Sequence, residues 1–243
     1  MRLERPLIND AINQIMSQNH FELDRSPLHH AGGKMIWRYS SVFGQKGNLE
    51  IDLNYMYRQP LWPINMSAPH ILLEKVTEIP VLDIHELAAG KLSALFSRRA
   101  SRDLFDAHYL LKKCKIDTQK LRTSFVIYLA MTEIPMLNLD PRYIEYDLID
   151  IRHRLFPVLR QEALPRSQVS LKQWASDIRH ELHDALSTLL PLNKSEIQFI
   201  VSIREQGIIR PELITDDARL INVVKTHPAI MWMTKKNEAT KKD

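Results

Sequence analysis

The sequence predicts an α+β chain: a small, mostly antiparallel sheet carrying an N-terminal helix, followed by a larger all-helical part. Three observations predict it. Two runs with period-two alternation, residues 34–43 and 48–56, are joined by G-Q-K-G, a hairpin signal. From Asp83 almost to the end, apolar residues recur at helical spacing. The strand-like segments all precede that helical stretch, with a soft boundary near residues 77–83. The expected domains are therefore 1–82 and 83–243.

In chain order, residues 6–17 read as a first helix, with Leu7, Ile8, Ala11, Ile12, Ile15 and Met16 on one side. Residues 21–24 form a short strand candidate, and 26–33 a loop holding His29 and His30. No third ligand stands at a diagnostic spacing from that pair, so loop residues are the simpler reading. In the second hairpin strand Leu49, Ile51 and Leu53 alternate with Glu50, Asp52 and Asn54, giving one apolar and one carboxylate-bearing face. Prolines 60, 63 and 69 mark an irregular crossing; Trp62 there either packs under the loop or stacks on a base. Residues 70–76 and 79–82 are further short strand candidates.

Asp83 is placed to cap the next helix, with Glu86 three residues on completing a capping box. Leu87, Leu92, Leu95 and Phe96 give it an apolar stripe, and the thinner face carries Lys91. Ser101 is the expected cap of a second helix, where Asp103 and Asp106 share a face while Leu104, Phe105, Tyr109 and Leu111 bury the rest. Further helices are expected from Asp117 to about Met131, over 142–159, over 167–190 and over 195–206, the last stopped by Gly207. Thr215 caps a final one, broken near Pro228.

Composition narrows the function classes. Of 243 residues, 44% are hydrophobic and 26% charged, ordinary for a globular protein. The apolar runs are too short to span a bilayer, and the charged N-terminus lacks the apolar core of a signal peptide, so a cytoplasmic setting is expected. One cysteine, Cys114, excludes an internal disulfide, and no Cys/His cluster suggests zinc. A net charge of +4, partly from the C-terminal tail, biases the chain mildly toward anionic partners.

Chemistry concentrates in residues 83–114, where Lys91, the arginines Arg98, Arg99 and Arg102, and the carboxylates Asp103 and Asp106 converge on one corner suited to a phosphate-bearing ligand. Taken singly, Arg99 and Asp103 also fit a plain helix salt bridge, and Lys91 a solvated amine. The stretch E-L-A-A-G-K-L-S-A-L-F-S-R-R-A-S-R-D-L-F-D resembles the signature of the AbiEii/AbiGii toxin family of nucleotidyltransferases. The similarity continues through G-N-L-E-I-D-L-N-Y-M-Y-R-Q-P-L-W and G-I-I-R-P-E-L-I-T-D-D.

The resemblance implies a nucleotidyltransferase-like sheet and transfer of a nucleotide from an NTP to RNA, typically a tRNA 3′ end, with Mg²⁺ and opposed by a cognate antitoxin. Lys91, Asp52 and Asp103 take the catalytic positions. Lys91 would hold the triphosphate, with Arg98, Arg99 and Arg102 assisting and Asp106 contributing to the nucleotide site. Asp52, with Glu50 second, is the candidate metal carboxylate. The family's glycine turn and Asp-x-Asp pair have no counterpart in this sequence. The chain is therefore expected to start inside the catalytic domain, with a sheet edge open to a second copy and no transfer activity of its own. An alternative reading is an inactive remnant acting as a nucleotide- or partner-binding module. A purely structural helical scaffold would leave Asp52 and the Arg-Asp-x-x-Asp elbow unexplained.

Overall fold

The computed structural model describes residues 4–26, 32–68, 78–165 and 169–240. It is α+β as expected: early antiparallel strands, then helices. The chain divides into two compact units, 1–58 and 59–243. His29, His30 and the strand expected at 70–76 lie outside the described residues.

In the first unit, α1 (Glu4–Gln18) precedes a three-stranded antiparallel sheet in the order β1 (Glu22–Arg25), β2 (Gly32–Ser40) and β3 (Lys46–Asn54). The β2–β3 hairpin turns on Gly44, whose φ of 76° is cheap for glycine alone. Gly47 faces Tyr39 so closely that a Cβ would stand 2.4 Å from its ring. Period-two alternation sends Met35 and Trp37 to one face, where they pack with Met16, Ile12, Phe21, Ile51 and Leu53. The other face carries Lys34, Arg38, Glu50 and Asp52, with ion pairs Lys34–Glu50 and Arg38–Asp24 at 2.7 Å each.

The second unit opens with a two-stranded antiparallel pair, β4 (Asn65–Ser67) and β5 (Ile79–Val81). The helices α2 (Ile84–Arg98), α3 (Ser101–Lys113), α4 (Thr118–Ala130), α6 (Leu171–Leu186), α7 (Lys194–Arg204), α8 (Ala218–Thr226) and α9 (Pro228–Thr240) follow. Their organising member is α4, buried continuously from Ser124 to Ala130 and packed against α2 and α7. Its second half, from Phe125 to Ala130, is buried on every side, which explains its weak amphipathic pattern. Arg204 at the end of α7 donates to the carbonyls of Ile134 and Leu129, satisfying the C-terminal end of α4. Burial lowers its pKa to about 10. Arg122 grips Glu196 through Nε and one terminal guanidinium nitrogen at 2.6 and 2.8 Å, tying α4 to α7.

Several local expectations change. The helix expected over 142–159 is a chain of short pieces: a 3₁₀ turn at Pro141–Tyr143, one turn of α5 (Leu148–Asp150), a wide π turn at Ile151–Leu155 and a 3₁₀ turn at Phe156–Val158. Asp147 caps a new start in mid-segment by accepting the Ile149 N–H at 2.8 Å, and Pro157 cannot donate to a continuing helix. The helix before Gly207 starts at an Asn193–Glu196 capping box, and α8 is capped by Asp217 rather than Thr215. Trp62 packs rather than standing free: its N–H donates to Ser124 Oγ at 2.7 Å, and Lys120 and Arg219 lie over its ring. Among the described residues, no helix is long and apolar enough to cross a membrane.

The capping box expected at Asp83 forms only by half. Asp83 accepts the His85 N–H at 3.0 Å, but Glu86 turns away. It is buried and accepts from the N–H of Leu61 (2.9 Å), the N–H of Trp62 (3.5 Å) and the Tyr128 hydroxyl (3.1 Å). The irregular crossing segment, short of backbone partners, thus borrows a carboxylate from α2. Burial raises the Glu86 pKa, and these hydrogen bonds offset it only in part.

A carboxyl raised in the folded state binds more protons there than when unfolded, so its contribution to stability falls as pH rises through the ordinary glutamate range toward the folded value. Glu86→Gln is expected to destabilise at low pH by about 1–3 kcal/mol, because one oxygen's acceptor role is replaced by an amide donor. The deficit should shrink as pH rises through that window. Urea unfolding at a series of pH values checks this; a deficit that grows with pH would contradict it.

Candidate functional site

The site is built on the elbow between α2 and α3. Lys91 lies seven residues into α2, and Asp106 on the second turn of α3; the two meet as an ion pair of 2.7 Å, both partly exposed. Leu87 lies one turn before Lys91 on the same face and is 37% exposed, so it lines the site instead of joining Leu92, Leu95 and Phe96 in the core. Behind this pair runs an open groove of about 630 Å³, walled by Leu87, Lys91, Arg102, Asp106 and Tyr109 on one side and by residues of the 155–163 segment on the other.

The elbow is closed by three devices. Arg99 ends α2 in the left-handed region, at φ 54° and ψ 32°, with its N–H on the carbonyl of Leu95. Arg98 reaches across the turn to Asp103, with bonds of 2.7 and 3.2 Å. The plain Arg99–Asp103 helix pair that spacing alone allowed is replaced, because the left-handed residue breaks the helical register between them. Finally, Ser101 is not the cap of α3. The cap position is Ala100, which has no side-chain acceptor, and Asp150 from α5 accepts the Ser101 N–H at 2.9 Å. Hydrogen bonding from Ser101, with Arg154 and Arg102 nearby, holds Asp150 below the usual carboxylate range.

The N-terminal end of α2 is equally fixed. His85 Nδ1 lies 2.7 Å from Asp83 and its Nε2 accepts the Asp117 N–H at 2.9 Å, which makes Nδ1 the protonated nitrogen. Lys120 closes on the other Asp83 oxygen at 2.7 Å. Burial opposes the charge on Asp83, but Lys120 and His85 outweigh it and lower its pKa.

The structure therefore sorts the expected site residues. Lys91, Arg102 and Asp106 share the groove. Asp103 does not line it: its side chain is 4% exposed and lies against Arg98. Arg99 is exposed at the elbow. Glu50 and Asp52 lie on the outer face of the first unit's sheet, where Lys34 stands opposite Asp52 in register and binds Glu50. A magnesium site needs carboxylates without a competing cation between them. Glu50 and Asp52, served by one lysine, do not make such a site by themselves. No group of three or more metal-ligating side chains stands together among the described residues.

Sequence reasoning missed the second wall, Leu155, Val158, Leu159, Arg160 and Ala163, because a continuous helix was expected there. Pro157 was the available signal. Tyr109, expected to be buried, is 53% exposed.

A family model described as nucleotidyl transferase AbiEii toxin, type IV toxin–antitoxin system, matches residues 3–195. The chain belongs to the AbiEii toxin family. The match spans both units, from α1 to the start of α7, and contains Lys91 and the Arg102–Asp106 element. The similarity noted at residues 207–217 lies beyond it. Membership makes the chain a nucleotidyl transferase toxin of a type IV toxin–antitoxin system, with a nucleotide and an antitoxin as the partners the family supplies. No curated protein and no solved structure matches the chain.

The elbow geometry yields two expected outcomes. Arg99→Gly relieves a left-handed conformation that an L side chain resists, and should leave stability unchanged or raise it by up to about 1 kcal/mol. Asp150→Ala should cost about 1 kcal/mol at neutral pH. Because the Asp150 pKa is lowered by folding, that cost should vanish as pH falls through the lowered value. Chemical denaturation at neutral and acid pH measures both.

Proposed function

We propose that the groove beside Lys91 holds the triphosphate of a nucleoside triphosphate, and that this site serves transfer of a nucleotide to RNA in the cytoplasm, with a tRNA 3′ end as acceptor. The observation that carries the reading is the Lys91–Asp106 pair at the groove with Arg102 beside it, in a chain of the AbiEii family. A partly exposed ion pair contributes little, about 0–1 kcal/mol, so an incoming phosphate can take Lys91 from Asp106 at small cost. Asp106 then acts as a positioning residue that keeps the amine aimed at the groove before ligand arrives. Arg102 offers a planar guanidinium suited to phosphate oxygens. Arg98 and Arg99 add positive potential at the elbow, with Asp103 acting through Arg98.

In the transfer itself an RNA hydroxyl oxygen forms a bond to the α-phosphorus, the bond from that phosphorus to the bridging oxygen of pyrophosphate breaks, pyrophosphate leaves, and the hydroxyl proton passes to solvent. Magnesium in this chemistry would need ligands beyond Glu50 and Asp52, and the roles given to Lys91, Arg102 and Asp106 do not depend on it. Self-association along β3, an edge strand among the described strands, belongs to the same proposal.

A second reading is favoured by the Lys34–Glu50 pair and by a sequence without an Asp-x-Asp: nucleotide binding without transfer. Calorimetry with nucleoside triphosphates addresses what the readings share. Lys91→Ala is expected to weaken binding by roughly 10- to 100-fold, the loss of one charge-assisted contact. Asp106→Asn is expected to retain or tighten binding. Affinity unchanged in Lys91→Ala would contradict the assignment. Transfer of labelled nucleotide to RNA by the 243-residue chain separates the two readings.

A further inference from the structure

The groove does not end at Asp106. Along the outer side of α3, Arg102, Asp106, Tyr109 and Lys113 recur every three or four residues and form one stripe, roughly 16 Å long at 1.5 Å per residue. The hollow beside Lys91 passes into a second one of about 540 Å³, and Phe105, Tyr109, Arg160 and Ala163 line both. Lys113, Glu162 and Trp174 line the far end.

Tyr109 stands at the join. Its ring lies against Phe105 at a centroid distance of 6.5 Å and an interplanar angle of 24°. Phe105 in turn lies against Trp174 at 6.2 Å and 28°, and both pack onto the buried cluster of Ile151, Leu155 and Ala175. A ring so supported loses little freedom when something flat is laid on it. The charges along the track favour an anion. Arg102, Lys113 and Arg160 make no hydrogen bond or ion pair through their side chains with other described residues. Of the nearby carboxylates, Asp106 is met by Lys91 and Glu181 by His108. Glu162 is the other carboxylate lining the groove, while Arg102 neighbours Asp150 and Lys113 neighbours Glu181, in neither case as an ion pair.

An exposed, backed aromatic ring between unpaired cations is the combination that holds single-stranded nucleic acid, with a base on the ring and phosphates on the cations. We propose that this track binds the single-stranded end of the acceptor RNA, with Tyr109 stacking on a base and Arg102, Lys113 and Arg160 gripping the backbone. The inference rests on the nucleotide reading of the Lys91 end, and adds the residues that would hold the acceptor strand beside it. A duplex should fit poorly, because its bases are stacked on one another and present no free face.

Fluorescence anisotropy with a short, unstructured, labelled oligoribonucleotide tests it, using the full chain. Tyr109→Ala is expected to weaken binding by roughly 5- to 150-fold, the loss of one base–aromatic stack, while Tyr109→Phe retains it. Arg160→Ala, on an irregular segment, should reduce the slope of log affinity against log salt by about 0.7. The same RNA annealed to its complement should bind more weakly. Tyr109→Ala and Arg160→Ala both binding like the unaltered chain, or duplex binding as tightly as single strand, would overturn the proposal. Nucleotide affinity measured in parallel keeps the two readings apart. If Lys91→Ala leaves nucleotide affinity unchanged while Tyr109→Ala weakens RNA binding, the nucleotide reading fails and the RNA track stands.

Discussion

Where Lys91 points depends on how the turn between α2 and α3 is closed. Two helices joined by so short a connection have few ways to pack, and this one is fixed by a left-handed Arg99, by Arg98 folded onto Asp103, and by Asp150 accepting the first free N–H of α3. The far end of α2 is held as firmly, by Asp83, His85 and Lys120 and by Glu86 gripping the 61–62 backbone. With both ends pinned and one face buried on α4, the exposed face of α2 has little freedom. Lys91 is presented from a rigid element, which is what a positioned phosphate contact requires.

Burial decides between the two carboxylates of the Arg-Asp-x-x-Asp element. Asp103 is 4% exposed and held from outside by a guanidinium that is itself 59% exposed. Removing it would free Arg98 from the turn without altering the lining of the groove. Asp106 is 37% exposed and meets an amine that is 47% exposed, so that contact is screened by water and exchangeable. The same three-residue spacing thus delivers one carboxylate to architecture and the other to the mouth of the groove.

Much of this was legible in the sequence. The β2–β3 hairpin, the burial of one face of β3, the Asp83 cap and the α2–α3 elbow follow from alternation, glycine placement and capping chemistry, all local signals. What escaped was tertiary in origin. Glu86 had the spacing of a capping box, but the backbone it serves cannot be inferred from a local window; its partners Leu61 and Tyr128 lie 25 and 42 residues away. The cap of α3 comes from Asp150, 49 residues beyond Ser101. The broken segment 141–158 carried apolar residues at nearly helical spacing, and that periodicity outweighed Asp147 and Pro157, the residues that in fact set its course. Tyr109 was expected in the core, whereas its ring tops a stack whose lower members, Phe105 and Trp174, are half-buried against the cluster of Ile151, Leu155 and Ala175.

The central claim is that the elbow delivers Lys91 and Arg102 to a triphosphate. A crystal structure of the chain with a non-hydrolysable nucleoside triphosphate tests it most directly. The account predicts phosphate oxygens within hydrogen-bonding distance of Lys91 Nζ and the Arg102 guanidinium, with the Lys91–Asp106 contact lengthened or broken. Triphosphate bound elsewhere, with Lys91 and Asp106 still paired at 2.7 Å, would contradict it.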